Sequence, residues 1–221
     1  MGKLAFVFPG QGSQHLGMGK DFFENFQEAR QVFQEANTSL SMDLSDLCFN
    51  GSEEDLQKTE NTQPAILTAS ISMLKVMEKE GIKAQYTAGL SLGEYSSLVY
   101  GGALEFSQAV RIVRERGILM QEAVGQGLGG MAAILGLDQE KLEAIVEELS
   151  KDGVLEIANY NCPGQLVISG QLGLLDLACE KAKEAGAKKA LPLAVSGPFH
   201  SSLLKQAGKN LGKLLEGYVF K

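Results

Sequence analysis

A serine between two glycines is the part of this sequence whose residue types and spacing best suit chemistry. Residues 89–93 read Gly-Leu-Ser-Leu-Gly, after an apolar run that predicts a strand and before a segment with a helical pattern. A G-x-S-x-G sequence in that setting is typical of a nucleophile elbow, in which a sharp turn exposes the serine hydroxyl. We therefore predict that Ser91 is a nucleophile. The Leu92 N–H, at the start of the helix, is then expected to stabilise a developing oxyanion.

A serine nucleophile needs a base, and the chain has only 2 histidines. His15 lies in a glycine-rich loop, which favours a surface or loop role. His200 follows a Ser-Gly-Pro-Phe sequence that closes a strand, and it is predicted to begin the last helix. The positive end of a helix disfavours imidazolium, so this position would keep His200 neutral and able to accept a proton. His200 is the candidate base, and a capping or packing role is the alternative.

An arginine on an apolar helix face is the third candidate. A helix is predicted over residues 105–124, and Arg116 falls in the middle of its apolar stripe. Burying a guanidinium is costly unless an anion meets it. Two partners are compatible with the sequence: an internal acid such as Glu94, or a substrate carboxylate that Arg116 binds bidentately.

The loop that follows the first predicted strand, residues 4–8, is rich in glycine. It has no lysine at Walker A spacing and no G-x-G-x-x-G, so nucleotide binding is not expected. A loop at a strand end can instead supply a second oxyanion donor, for which Gln11 is the candidate. A plain turn is the alternative.

Composition and charge limit the classes of function. With 44% hydrophobic and 21% charged residues, the chain is typical of a globular protein. Its net charge of −7 argues against a nucleic-acid partner, although it is compatible with a local basic patch for an acidic one. No apolar run has the length of a membrane span and the N-terminus lacks a signal-peptide pattern. We therefore expect a cytoplasmic protein with no membrane partner.

The three cysteines, Cys48, Cys162 and Cys179, are odd in number and show no C-x-x-C spacing. This pattern predicts neither a disulfide framework nor a zinc site. Buried free thiols are the expected state.

The predicted elements fall into two patterns on either side of a glycine-rich stretch, residues 125–130, which is interpreted as a linker. Before it, strands at residues 4–8 and 85–90 alternate with helices, one of which is predicted over residues 65–79 with Pro64 in its first turn. Beyond it, the predicted order is β-α-β-β-α-β, the ferredoxin-like split unit. These six elements are placed at residues 131–135, 139–149, 155–160, 166–169, 172–184 and 189–195.

A last helix is predicted over residues 201–215, returning to the first domain. The sequence therefore predicts an α/β fold in which a small domain is inserted into a larger one. The larger domain comprises residues 1–125 and 197–221, and the small one comprises residues 126–196.

Several motifs, taken together, resemble those of the malonyl-CoA:acyl carrier protein transacylase family in order and spacing. Phe-Pro-Gly-Gln-Gly-Ser-Gln stands at residues 8–14 with Gly-Met-Gly at 17–19, Gln-Pro-Ala at 63–65, Gly-Leu-Ser-Leu-Gly-Glu-Tyr at 89–95, Arg-Gly at 116–117 with Met-Gln at 120–121, Asn-Tyr-Asn at 159–161 with Pro-Gly-Gln at 163–165, and Ser-Gly-Pro-Phe-His-Ser at 196–201. The resemblance runs from the first strand to the end of the sequence, and as a set these motifs are highly specific.

The resemblance implies a role for each candidate. Ser91 would take the malonyl group from coenzyme A as an ester, with His200 acting first as base and then as acid. Arg116 would hold the free malonyl carboxylate, while Gln11 and the Leu92 N–H would form the oxyanion hole. The malonyl group would then pass to the phosphopantetheine thiol of holo-acyl carrier protein for fatty-acid chain elongation. No cofactor is implied, because the coenzyme A thioester is itself a substrate.

The resemblance also implies an α/β-hydrolase-like core with an inserted ferredoxin-like subdomain.

The sequence departs from the family pattern twice. Many members have His where this chain has Leu90, which is not expected to matter because that position is not the nucleophile. Family members also continue well past the equivalent of Lys221. That further part is expected to carry a core strand, a helix and a glutamine whose carbonyl orients the histidine, so the sequence is expected to lack the family's C-terminal part.

Two other functions stay open from the sequence. A serine esterase or thioesterase would use the same elbow. A non-catalytic module would bind coenzyme A or carrier protein without forming an acyl-serine.

Overall fold

A computed structural model describes residues 2–123, 127–193, 195 and 197–221. The chain divides into two compact units. The first runs up to Ile118 and includes Leu211–Lys221, and the second is Leu119–Asn210. The domain boundaries predicted from the sequence fall on residues 125–126 and 196, which lie outside the described residues, so those boundaries stay predictions.

Two parallel strands and several helices form the first unit. Strand β1 (Ala5–Phe8) pairs with β2 (Tyr86–Gly89), with Phe8 opposite Gly89. The helices are α1 (Lys20–Asn25), α2 (Gln27–Leu40), α3 (Leu44–Asn50), α4 (Glu53–Gln57), α5 (Thr59–Lys79), α6 (Gly93–Tyr100) and α7 (Phe106–Glu122), the last of which ends among residues of the second unit.

Helix α5 is buried along most of its length and forms the centre of the first unit. Its apolar side chains pack with Phe6 and Phe8 of β1 and with the inner face of α7 in one hydrophobic cluster. A helix that is apolar on most sides is one that other elements surround. Helix α5 can therefore hold side chains rigidly for its neighbours.

The predicted start of α5 is wrong. Pro64 lies inside the helix rather than in its first turn, because the helix already begins at Thr59. The Lys58 carbonyl accepts from the N–H groups of Asn61 and Thr62, and the Thr62 hydroxyl donates to the Leu56 carbonyl. These contacts and the burial of the first turn outweigh the hydrogen bond that a proline inside a helix loses.

Four antiparallel strands and two helices form most of the second unit. Strand β3 is Gly129–Leu135, β4 is Leu155–Cys162, β5 is Gln165–Gln171 and β6 is Lys189–Pro192, and their order in the sheet is β4-β5-β3-β6. Helices α8 (Gln139–Leu149) and α9 (Leu172–Glu184) share a hydrophobic core with the sheet. The order β-α-β-β-α-β along the chain is the predicted one, and the α/β class is confirmed.

The remaining elements differ in detail from the prediction. The last strand ends at Pro192, and Ala194 within the predicted strand lies outside the described residues, as do residues 125 and 126 of the predicted linker. The last predicted helix is a short 3-10 turn (Ser202–Leu204) followed by α10 (Lys205–Leu215). Across the described ranges, no helix has the length and apolar character needed to cross a membrane.

The prediction of three buried free thiols is correct for Cys48 and Cys179 but wrong for Cys162, which is exposed as the last residue of β4, where it pairs with Gln165 of β5. Burial raises the pKa of Cys48 to about 12. This thiol therefore behaves as a small apolar side chain and not as a nucleophile.

The turn between β2 and α6 brings backbone unusually close to β1. The Leu90 N–H donates to the Phe8 carbonyl over 3.1 Å. A Cβ atom on Gly93 would lie 2.3 Å from that same carbonyl oxygen, and one on Gly89 would lie 1.9 Å from the Gly93 carbonyl carbon. Only glycine fits at either position. Because Ser91 lies in the turn between the end of β2 at Gly89 and the start of α6 at Gly93, the predicted strand–turn–helix setting is confirmed.

Replacing Gly93 with alanine tests this close approach. We expect Gly93→Ala to lower the free energy of unfolding by about 1–3 kcal/mol or more, because a backbone carbonyl cannot move aside as a side chain can. The measurement is denaturant unfolding followed by circular dichroism. Gly208→Ala is the matched control, since a Cβ there has no atom within 4 Å and lies on α10. That change is expected to be neutral or to stabilise by about 0.5–1 kcal/mol. Equal unfolding midpoints for Gly93→Ala and the unchanged chain would contradict the prediction.

Candidate active site

Positive φ angles single out the two residues predicted to carry the chemistry. In the described part of the chain, the non-glycine residues with positive φ are Ser41, Ser91 and His200, at 52°, 52° and 59°. Ser41 is the C-cap of α2, where a left-handed residue is common. Ser91 and His200 have no such ordinary explanation. Strained backbone of this kind clusters at functional sites, where surrounding structure maintains it.

The Arg116 side chain reaches the Ser91 hydroxyl. Arg116 lies on α7, and its Nη2 donates a hydrogen bond to Ser91 Oγ over 2.9 Å. Its Nη1 donates to Gln63 Oε1 over 2.7 Å. The guanidinium carbon lies 5.9 Å from the centroid of the Tyr95 ring. Two residues that the sequence places 25 positions apart therefore meet in the first unit.

The groups that contact Arg116 are neutral. Burial lowers the pKa of Arg116, while the nearby Tyr95 and Glu94 favour its charged form. Burial also raises the pKa of Tyr95, so its ring is uncharged near pH 7. Among the residues described, no carboxylate lies within 4.0 Å of Arg116, and Glu94 is exposed. An ion pair between Arg116 and Glu94, one of the two sequence alternatives, is therefore not formed.

A close approach of α7 to α5 places the arginine beside the glutamine. A Cβ atom on Gly117 would lie 2.7 Å from both the Glu60 Cα and the Thr59 carbonyl oxygen. A larger residue there would push the two helices apart and separate Arg116 from Gln63. The absence of a side chain at Gly117 therefore lets α7 approach α5 closely enough for Arg116 to reach Gln63.

Gln11 and Leu92, the two residues predicted as oxyanion donors, lie next to a close contact between Gly10 and Leu90. The loop after β1 lies against the elbow, because a Cβ on Gly10 would be 2.7 Å from the Leu90 carbonyl oxygen. In this loop, Gln11 Nε2 donates to Thr59 Oγ1 over 3.2 Å. Within the described ranges, neither the Gln11 N–H nor the Leu92 N–H takes part in a hydrogen bond. Both N–H groups are therefore available to an external acceptor.

His200 belongs to the second unit. It is exposed and follows Phe199, which is buried in a cluster with Met120, Met131 and Val167. The Ser201 hydroxyl donates to the Pro198 carbonyl over 2.7 Å, which closes the turn around the histidine. The anchored phenylalanine and this hydrogen bond fix the backbone on both sides of His200. Because Ser91 and His200 fall in different units, their pairing stays a prediction.

The expectation that His200 begins a helix is wrong. A 3-10 turn starts at Ser202 and α10 starts only at Lys205. The positive φ of His200 cannot continue into a right-handed helix. The helix-dipole argument for a neutral imidazole therefore does not apply to this residue.

Gln63 is a site residue whose role the sequence analysis missed. It stands in the Gln-Pro-Ala motif, is fully buried, and supplies the amide oxygen that Arg116 contacts. A polar side chain beside an interior proline is a signal that could have drawn attention to it, because a buried amide needs partners. The sequence does not say which partners those are.

A separate apolar cavity of about 360 Å³ lies in the first unit beside β1 and α5. Phe8, Ile66 and Met73 are among its lining residues, and His15 lies at its wall. Neither Ser91 nor Arg116 lines it. The cavity is therefore distinct from the candidate active site.

The chain belongs to the acyl transferase domain family, whose model matches residues 5–219. It is 52% identical to the malonyl CoA-acyl carrier protein transacylase of Bacillus subtilis (strain 168), over 100% of this chain and 70% of that relative. The enzyme of the same name from Staphylococcus aureus (strain COL) is 49% identical, and the chain covers 71% of it. The chain thus spans about seven tenths of the length of these relatives.

Solved structures show the same similarity in three dimensions. The crystal structure of malonyl CoA-acyl carrier protein transacylase from Clostridium perfringens has a TM-score of 0.95 and 47% identity, covering 100% of this chain and 69% of that one. A second structure, of a type II polyketide synthase acyl carrier protein in complex with its malonyl-transacylase, has a TM-score of 0.97 and 47% identity, covering 100% and 72%. The fold of this chain is therefore that of the corresponding part of these proteins.

Proposed function

We propose that this chain transfers a malonyl group from malonyl-CoA to the phosphopantetheine thiol of an acyl carrier protein, supplying fatty-acid chain elongation. The observation that carries the proposal is the contact between the Arg116 guanidinium and Ser91 Oγ. A cation beside the nucleophile suits an acyl group that ends in a carboxylate, whereas a simple esterase does not need it. The names of the relatives point to the same substrate and acceptor.

The reaction we propose is a ping-pong exchange that begins at Ser91. His200 removes the hydroxyl proton, and Ser91 Oγ attacks the thioester carbonyl carbon of malonyl-CoA. The Leu92 N–H and the Gln11 backbone N–H donate to the resulting oxyanion, and each such donor is typically worth about 3–4 kcal/mol in the transition state. The C–S bond then breaks, and His200 returns its proton to the departing coenzyme A thiolate.

The second half follows the reverse route with another thiol. His200 takes the proton of the carrier-protein thiol, whose sulfur attacks the malonyl-serine ester. The bond between the acyl carbon and Ser91 Oγ breaks, and the proton returns to the serine. Neither a metal ion nor a redox group takes part in either half, and the cytoplasmic location expected from the sequence stays a prediction.

The same proposal includes the finer fold assignment. The sheet order β4-β5-β3-β6, with every neighbouring pair antiparallel, supports a ferredoxin-like subdomain. The parallel pair β1 and β2 with the elbow after β2 supports a core like that of the α/β-hydrolases.

Exposure to malonyl-CoA without any acceptor tests the nucleophile. We expect intact-mass spectrometry to find one malonyl group on the unchanged chain and none on Ser91→Ala, since the ester forms on that oxygen. Ser202→Ala is the control, because Ser202 is exposed and lies near His200 in the sequence. Addition of carrier protein should remove the malonyl group from the enzyme. Steady release of free malonate would indicate a hydrolase, and an unmodified chain would indicate a binding module.

Arg116→Ala tests the carboxylate site. We expect the preference for malonyl-CoA over acetyl-CoA, measured as the ratio of acylation kcat/KM, to fall by about 10- to 100-fold because the partly exposed ion pair with the substrate is lost. Acetyl transfer should be affected much less. Arg114→Ala is the matched control, since Arg114 is also on α7 but donates to Asn61 instead of Ser91. If malonyl preference survives in Arg116→Ala, the assigned role of the arginine is wrong.

A further inference from the structure

We propose that Gln63 is a positioning residue that sets acyl selectivity because its side chain is neutral. Gln63 orients Arg116 without neutralising its charge. The guanidinium can therefore form its ion pair with the carboxylate of the acyl group. This inference rests on the proposed function and deepens it.

The geometry shows an oriented guanidinium. Gln63 Oε1 accepts from Nη1 over 2.7 Å, and Gln63 itself is fully buried on α5. The close packing of α7 on α5 at Gly117 leaves little freedom for either side chain. The amide therefore fixes the plane of the guanidinium, which is what bidentate recognition of a planar carboxylate requires.

Among the described residues, none forms an ion pair with Arg116. Its contacts are an amide oxygen, a hydroxyl oxygen and the ring of Tyr95, all of which are neutral near pH 7. The negative charge of Glu94 favours the charged form of Arg116, but Glu94 is exposed and makes no ion pair with it in the described part of the chain. Burial makes an uncompensated charge costly, and an incoming carboxylate relieves that cost.

A glutamate at position 63 would have almost the same shape and would supply the missing anion internally. Glutamine and glutamate therefore differ at this buried position in charge and not in size. The site remains attractive to acyl groups that end in an anion and gives no such advantage to neutral ones. Selectivity of this type comes from leaving a partner group unpaired when the wrong ligand binds.

Two variants of Gln63 separate charge from structure. Gln63→Glu keeps the acceptor to Arg116 and adds a negative charge, whereas Gln63→Met has a similar length, no acceptor and no charge. Both lose the amide donor, so they form a matched pair. The readout is the ratio of kcat/KM for malonyl-CoA to that for acetyl-CoA in the formation of the acyl-enzyme, measured by quenched-flow mass spectrometry.

We expect Gln63→Glu to lower the malonyl-to-acetyl ratio by about 10- to 100-fold, mainly through a higher KM for malonyl-CoA, because the guanidinium is already paired. Gln63→Met should lower the ratio by only about threefold, since the guanidinium loses its fixed orientation but keeps its unpaired charge. Gln63→Glu should also unfold at a higher denaturant concentration than Gln63→Met, because a buried acceptor is retained. A purely structural role for Gln63 would instead make Gln63→Met, the less stable variant, also the one with the lower malonyl-to-acetyl ratio.

If neither Gln63 variant folds, the inference can still be tested on the unchanged chain with a substrate that lacks the carboxylate charge. The coenzyme A thioester of malonic monoamide has the shape of malonyl-CoA but no charge. We expect it to acylate Ser91 at least about 10-fold less efficiently than malonyl-CoA, by the same ion-pair argument. Equal use of the amide and the acid, or an unchanged ratio in Gln63→Glu, would overturn the inference while leaving the proposed function intact. Failure of the unchanged chain to form any acyl-serine would overturn both.

Discussion

One contact, from the Arg116 guanidinium to the Ser91 hydroxyl, sets the requirements that the first unit has to meet. A cation beside the nucleophile is useful only when both are held rigidly and partly shielded from water, because solvent weakens the interaction and motion removes the orientation. The buried helix α5 supplies the rigid support through Gln63. The elbow supplies the hydroxyl at a fixed position.

Close backbone approaches meet these requirements at two points. At the elbow, glycines at 89 and 93 let β1, β2 and α6 meet, and the positive φ of Ser91 stores strain that the surrounding contacts offset. Between α5 and α7, Gly117 performs the same role for Arg116. In both places a glycine lies within two residues of the side chain that carries the function, and its missing Cβ gives the space for that side chain to be positioned.

The sequence was sufficient where the signal was local. The G-x-S-x-G spacing predicted the elbow, and 3.6-residue periodicity predicted that Arg116 faces inward, because both patterns follow directly from local backbone geometry. Prediction failed where distant contacts decide the outcome. The start of α5 at Thr59 depends on burial and on the hydrogen bond from the Thr62 hydroxyl to the Leu56 carbonyl, and the backbone of His200 depends on the buried Phe199. The role of Gln63 depends on which helix packs against α5, which no single-sequence pattern contains.

The resting contact between Arg116 and Ser91 also constrains how the proposed reaction discriminates between acyl groups. An N–H group that donates to Ser91 Oγ withdraws electron density from the oxygen that must attack. A malonyl carboxylate competes for the same guanidinium face and can draw that N–H away, so binding of the acidic substrate would release the nucleophile as well as orient the acyl group. An acetyl group offers no such competitor and would leave the serine engaged. Under the proposed mechanism, discrimination would therefore arise in the acylation step as well as in binding, because the substrate carboxylate itself completes the change that makes Ser91 reactive.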